Sequence, residues 1–166
     1  GMGRGGGECL MVAGGVSGGA GRDGAAKFIG AFCRSPAGAD AVNRLRNQRD
    51  GLALGICNGF QALIKLGLVP YGEIRPITES DPTLTFNTIH RHQSMLVRTR
   101  VASNKSPWLS KCDINDEHLI AISHGEGRFV CNEQLLKRHI ATGQIATQYV
   151  DMLCRTTLEL RHKQKG

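Results

Sequence analysis

Cys57 is the residue of this 166-residue chain whose setting most plainly calls for chemistry. It stands in Gly55-Ile56-Cys57-Asn58-Gly59, where the apolar run "GLALGI" gives way to "FQALIKLGL". A buried structural cysteine needs no glycine on either side. A nucleophile on a strand-to-helix elbow does, because small residues two places before and after it let strand and helix pack closely enough to expose its side chain. The helix that follows would turn unpaired N–H groups and a partial positive charge toward the sulfur, which favours a thiolate. The Asn58 N–H, the first past the elbow, is placed to hold an oxyanion. The same spacing also fits a cysteine simply buried at a strand end, and the motif alone leaves both readings open. The other five cysteines, Cys9, Cys33, Cys112, Cys131 and Cys154, lack the glycine frame and are read as structural or incidental.

Two other chemistries compete and fit less well. Gly19-Ala20-Gly21-Arg22-Asp23-Gly24 has the form G-x-G-x-x-G, but five residues separate it from the preceding apolar run, whereas a dinucleotide fingerprint follows its strand directly. The next apolar run ends in Ile56-Cys57 rather than in an acidic residue for a ribose. No G-x-x-x-x-G-K-[ST] phosphate loop is present. Cys112, His118, His124 and Cys131 are separated by five, five and six residues, unlike the short paired spacings of structural zinc sites. His90 and His92 would share one face of a strand with no third ligand nearby in sequence. No metal site is expected.

The elements that must carry Cys57 can be read from periodicity. "CLMVA" at 9–13 is a short buried strand running into a glycine loop, and "AAKFIGAF" opens a helix with Phe28, Ile29 and Phe32 on one face. Pro36 punctuates it, and "GADAVNRLRNQ" is a second helical stretch. "GLALGI" at 51–56 is too continuously apolar to be half exposed, as in a parallel sheet covered on both sides. In the segment after Cys57, Phe60, Leu63, Ile64 and Gly67 recur at helical spacing. Beyond Pro70 the pattern alternates. "DPTLTFNTI" and "RHQSMLVRTRVA" read as strands, the second with Met95, Val97 and Val101 on one face and His92, Ser94, Arg98 and Arg100 on the other. "HLIAISHGEGRFVC" predicts two strands around a tight His-Gly-Glu-Gly turn. "NEQLLKRHIATG" predicts a helix with Asn132 as N-cap and Gly143 at its end, and "QIATQYV" a last strand. No repeat or domain linker is evident. The order argues for an α/β sandwich with a mixed sheet.

Length suits one domain. No apolar run reaches the roughly 18 residues of a membrane span, and "CLMVA" is too short for the apolar core of a signal peptide, so an intracellular, cytoplasmic protein with free thiols is expected. Half of the 22 glycines lie in the first 24 residues, and residues 1–8 read as a flexible lead. The net charge is +7, of which residues 152–166 supply +3, the mark of a solvated basic tail. The basic face of "HRHQSMLVRTR" could meet RNA, but with two Tyr and one Trp there is no stacking motif. Neither a nucleic-acid nor a membrane partner is expected.

"GICNGFQALIKLGLVP", together with "LMVAGGVSGG", "RHQSMLVRTRVASNKSPWL" and "ISHGEGRF", resembles the class I glutamine amidotransferase (glutaminase) domain of phosphoribosylformylglycinamidine (FGAM) synthase, in the form where that domain ends one long chain. The likeness runs from about Leu10 to Asp151. It implies a flavodoxin-like three-layer α/β sandwich with a mixed, mainly parallel central sheet. In that family a cysteine thiolate attacks the side-chain amide of glutamine, and the glutamyl thioester is hydrolysed. Cys57 is then the nucleophile, backbone N–H groups around Gly15 and Val16 with that of Asn58 form the oxyanion hole, and Gln61 contacts the glutamine substrate. The ammonia would serve a synthetase domain that uses ATP and Mg to aminate formylglycinamide ribonucleotide in purine synthesis; the glutaminase domain itself implies no cofactor. The family also places a His-x-Glu pair near the domain's C-terminus, after a strand beginning like "QYVD". Here the chain reads "MLCRTTLELRHKQKG" after Asp151, so the resemblance implies a domain truncated at both ends, its C-terminal part missing, covering 9–151. The alternative is an impaired fragment or interaction module without the His-Glu part of the triad. His124 and Glu126 have the same spacing, which would let His124 act as base for Cys57, but the resemblance matches them to a separate, earlier loop of the family that shapes the site or the contact with the synthetase.

Overall fold

The computed structural model describes residues 9–14 and 24–151, which fall into two compact units divided between Leu84 and Thr85. One domain was the expectation from length, and each unit is described here in turn. Residues 1–8, residues 152–166 and the G-x-G-x-x-G run as far as Asp23 lie outside the described residues.

The first unit begins with strand β1 (Cys9–Val12), followed by helices α1 (Gly24–Arg34) and α2 (Pro36–Asn47), strand β2 (Leu52–Gly55), helix α3 (Asn58–Leu66) and the short α4 (Leu68–Tyr71). β1 and β2 pair in parallel, Cys9 opposite Leu52 and Val12 opposite Gly55, as expected, but neither is the fully buried strand its apolar run predicts: Cys9, Met11 and Ala53 are exposed and only Val12 is buried. The break predicted at Pro36 is present, since α1 ends at Arg34, but Pro36 itself starts α2, two residues before the stretch read from Gly38. Proline's fixed φ suits the first helical position, and the Ser35 side chain caps the turn by accepting from the Gly38 N–H at 3.2 Å. The core gathers Cys33, Val42 and Leu66, with Leu10, Ile29, Leu68 and Ile74 packed against it. Burial raises the pKa of the Cys33 thiol, which befits a structural cysteine.

Two expectations need correcting here. The buried stripe of α1 runs through Ile29 and Cys33, while Phe28 and Phe32 are 77% and 67% exposed beside an apolar groove shared with Met11. Four apolar residues at 28, 29, 32 and 33 define two overlapping stripes, and the smaller one fits against the neighbouring helices. Gly67, read from its spacing as part of the helix, instead closes α3 with φ 86°, and the short α4 follows it. Pro70 sits inside α4, in the first turn, where a missing N–H costs little. Below α4, Asp81 accepts from the Tyr71 hydroxyl, from the Thr78 N–H at 2.7 Å and from the Thr78 hydroxyl, and pairs with Arg75 at 3.1 Å. The Arg75 guanidinium lies 3.6 Å from the Tyr71 ring centroid.

The short strand β3 (Thr83–Thr85) marks the boundary. In the second unit, β4 (Gln93–Val101) is the middle strand of an antiparallel sheet, flanked by β5 (Glu117–His124) and β7 (Thr147–Val150). Its buried face carries Val97, Thr99 and Val101, the predicted face except that Met95 is 47% exposed. Arg98 reaches diagonally across to Glu117 at 2.9 Å. Between β5 and β7 come β6 (Arg128–Val130) and helix α5 (Glu133–Ala141). Asn132 caps α5 by accepting from the Leu135 N–H at 2.8 Å, and Gly143 follows with φ 71°, both as the sequence predicts. β5 pairs with β4 and not across the His-Gly-Glu-Gly turn with β6. The described strands therefore form small separate sheets, a parallel pair and an antiparallel triplet among them, in a mixed α/β arrangement. No helix among the described residues is long and apolar enough to cross a membrane.

Candidate active site

The site is built where β2 hands over to α3. The Ile56 N–H still donates to the Val12 carbonyl at 3.0 Å, extending the β1–β2 ladder by one bond. One residue later the backbone reverses: Cys57 has φ 55° and ψ −116°, a region that L-residues rarely enter. Such a conformation costs of order 1–3 kcal/mol and persists only where its surroundings impose it. Here they do. The Gly59 N–H donates to the Ile56 carbonyl at 2.9 Å and the Gln61 N–H to the Cys57 carbonyl at 3.1 Å, which starts α3 at once.

The two glycines of the frame are required by contact. A methyl group on Gly59 would sit 1.9 Å from the Val12 carbonyl oxygen, so α3 crosses β1 at a distance only glycine permits. One on Gly55 would sit 2.8 Å from the Phe60 nitrogen and Cα and 2.7 Å from Leu63. Strand and helix are thereby held together on both sides of Cys57. The buried Ala62, Leu63, Ile64 and Leu66 anchor the helix below it. The cysteine itself is exposed, at the N-cap position of a nine-residue helix with no acidic residue in its first turn and Lys65 in its last. The helix therefore presents its positive end to the sulfur.

The predicted partners are placed unevenly. Asn58 is the first residue of α3, so its N–H lies at the elbow, and Gln61 stands one turn on from Cys57 on the same helix. Gly14 packs directly beside Cys57: a methyl group there would lie 2.6 Å from the Cys57 Cβ. The chain thus passes Cys57 as it enters the residues expected to complete the oxyanion hole, but Gly15 and Val16 themselves lie outside the described residues.

His124 and Glu126, the remaining candidates, belong to the second unit, and the structure shows what His124 is built into. Asn87, which the sequence reading passed over as part of a strand, is buried beneath the turn. Its side-chain N–H groups donate to the carbonyls of His124 at 2.8 Å and Arg91 at 3.1 Å. Its oxygen accepts from the Gly127 N–H at 3.1 Å and lies 2.9 Å from His124 Nδ1. An amide oxygen can only accept, so the His124 ring carries a proton on Nδ1. One buried amide thus orients the ring and folds the His-Gly-Glu-Gly segment around itself. Glu126 lies half-buried in the same turn. No local sequence signal marks Asn87; its partners stand up to 40 residues away.

One group of potential metal ligands forms among the described residues, and it differs from that weighed in the sequence: Cys112 and His118 come together with Asp116, not with His124 and Cys131. Comparison with known proteins gives one further finding, that the family model of the CobB/CobQ-like glutamine amidotransferase domain matches residues 7–162.

Proposed function

The chain belongs to the CobB/CobQ-like glutamine amidotransferase domain family, and on that premise we propose that Cys57 is the nucleophile that releases ammonia from glutamine. The observation that carries this reading is the backbone of Cys57, held at φ 55° on an exposed strand-to-helix elbow by two glycines that no larger residue could replace in place. Strain of this kind clusters at active sites, where it positions a reacting side chain.

The geometry supports the following chemistry. The thiolate forms a C–S bond to the side-chain carbonyl carbon of glutamine, and the carbonyl electron pair moves to oxygen. The Asn58 N–H at the helix start is positioned to stabilise that oxyanion, with Gly15 and Val16 as its proposed companions. Collapse of the tetrahedral species breaks the C–N bond, and the leaving amine takes up a proton and departs as ammonia. Water then adds to the thioester, the C–S bond breaks, and glutamate and the thiolate are regenerated. Gln61, one turn along the helix, holds the substrate. His124, its ring oriented by Asn87, shapes the loop of the second unit. Read more finely, and on the resemblance alone, the ammonia passes to an ATP-dependent synthetase that aminates formylglycinamide ribonucleotide.

A diazo-ketone analogue of glutamine tests the proposal, with the adduct mapped by mass spectrometry against iodoacetamide labelling of all six cysteines. A selective adduct on Cys57, suppressed by glutamine and absent from Cys57→Ala, is the expected result. If folded protein gives no adduct on Cys57, the site is non-catalytic and the chain an interaction module. For the finer reading, glutamine-dependent amination is measured with the synthetase part of FGAM synthase, formylglycinamide ribonucleotide, ATP and Mg. No gain over synthetase alone would remove that assignment and leave the first intact.

A further inference from the structure

We propose that Cys112, Asp116 and His118 form a zinc site in the second unit. The Cys112 sulfur, a carboxylate oxygen of Asp116 and a ring nitrogen of His118 all lie within 4.8 Å of one another. Around a tetrahedral Zn²⁺, with bonds of about 2.0–2.3 Å, such donors stand roughly 3.3–3.8 Å apart, a distance that small side-chain rotations would reach. The cluster lies in the 15-residue connection of residues 102–116 between β4 and β5, with His118 on β5 itself.

The backbone presents these three side chains together before any ion arrives. A 3₁₀ turn at Pro107–Leu109 ends with the Cys112 N–H donating to the Leu109 carbonyl at 2.9 Å, and the Asn104 side chain donates to the Cys112 carbonyl at 3.1 Å. Asn115, at φ 76°, turns the chain back and donates its N–H to the Val101 carbonyl at 2.9 Å. The Val101 N–H in turn donates to the Asp116 carbonyl at 2.8 Å. The Asp113 N–H donates to Asp116 Oδ2 at 2.8 Å, which orients the carboxylate. His118 is fixed by its pairing opposite Thr99. Three ligands within seven residues, on backbone already ordered, bind a metal without the folding cost that flexible sites incur.

The donor set selects the ion. A thiolate with an imidazole suits Zn²⁺, whereas Mg²⁺ and Ca²⁺ require oxygen ligands. On binding, the Cys112 thiol gives up its proton to solvent as the S–Zn bond forms. Thiolate, carboxylate and a neutral imidazole then make an uncharged complex, with water in the fourth position. The ion would tie the connection to β5. Glu117, next to His118 in the chain, is already paired with Arg98 at 2.9 Å.

Cobalt titration of the full chain tests this, because thiolate-bound Co²⁺ has a ligand-to-metal band that carboxylate or imidazole sites lack. One equivalent of Co²⁺ should produce the band, and one equivalent of Zn²⁺ should remove it. Cys112→Ser should abolish it, and His118→Ala and Asp116→Asn should each weaken binding at least tenfold. Zn²⁺ should raise the melting temperature of the parent chain and not of folded His118→Ala. No band, a band surviving in Cys112→Ser, or affinity unchanged in either ligand variant overturns the site.

Discussion

Replacing Cys57 by glycine should make the protein more stable as it removes the proposed nucleophile. The backbone at φ 55° and ψ −116° is the mirror image of an extended conformation, open to glycine and costly for any residue with a Cβ. Relief of that strain is worth about 1–3 kcal/mol. Against it stands the greater freedom of glycine in the unfolded chain, about 0.5–1 kcal/mol. Little else is lost, because the Cys57 side chain is exposed and makes no capping hydrogen bond. The net gain over Cys57→Ala, which keeps the Cβ and the strain, is therefore about 1 kcal/mol. In a chain of this size that corresponds to a rise in melting temperature of about 2–4 °C. Urea midpoints of the two variants at equal slope measure it directly. If Cys57→Gly is no more stable than Cys57→Ala, the elbow is not strained, and the argument from backbone conformation to catalysis falls.

Gly59→Ala should force α3 away from β1 by more than 1 Å, since the new methyl group meets a carbonyl oxygen at 1.9 Å. Alkylation of Cys57 by the glutamine analogue should then slow by about 100-fold, with a loss of stability of about 1–3 kcal/mol; an unchanged alkylation rate would show that the close approach is not needed. Asp81 gives the pH prediction. The Tyr71 hydroxyl, the Thr78 N–H and hydroxyl, and the Arg75 guanidinium hold its carboxyl down to about 2. A carboxyl depressed on folding contributes stability that is complete above its ordinary value near 4 and is lost as pH falls through that value toward about 2. Asp81→Asn should be less stable than the parent at pH 7, with the difference shrinking across that window. A difference independent of pH would mean that the cluster acts by shape and not by charge.

What the sequence disclosed of this fold depends on how far apart the cooperating residues stand. The elbow was legible because its steric demand is written two residues either side of Cys57. The cap at Asn132 and the αL residue at Gly143 were legible for the same reason, each acting within one turn. The parallel pairing of β1 and β2 could be inferred from an uninterrupted apolar run. The face of α1 could not, because residues 28, 29, 32 and 33 satisfy helical periodicity twice and only packing chooses between them. Asn87 left no trace, since a side chain that bonds to backbone 37 and 40 residues away has neither period nor motif. Asp116 went unseen because a carboxylate in a loop is ordinary until a left-handed residue folds it back toward a cysteine.

The bonding of Asn87 has a consequence for how the molecule ages. Asparagine is the side chain most prone to spontaneous deamidation, in which the following backbone nitrogen attacks the amide carbon and ammonia is lost. Asn87 is 6% exposed, and both ends of its amide are engaged, which keeps that carbon from the Thr88 nitrogen. Were the change to occur, the aspartate formed would turn oxygens toward the carbonyls of Arg91 and His124, where N–H donors stood. The conversion cannot be silent: two attractions become repulsions in a buried place, and the turn carrying His124 and Glu126 must open. Old preparations of this protein should therefore divide into molecules with an intact turn and molecules in which it has come apart.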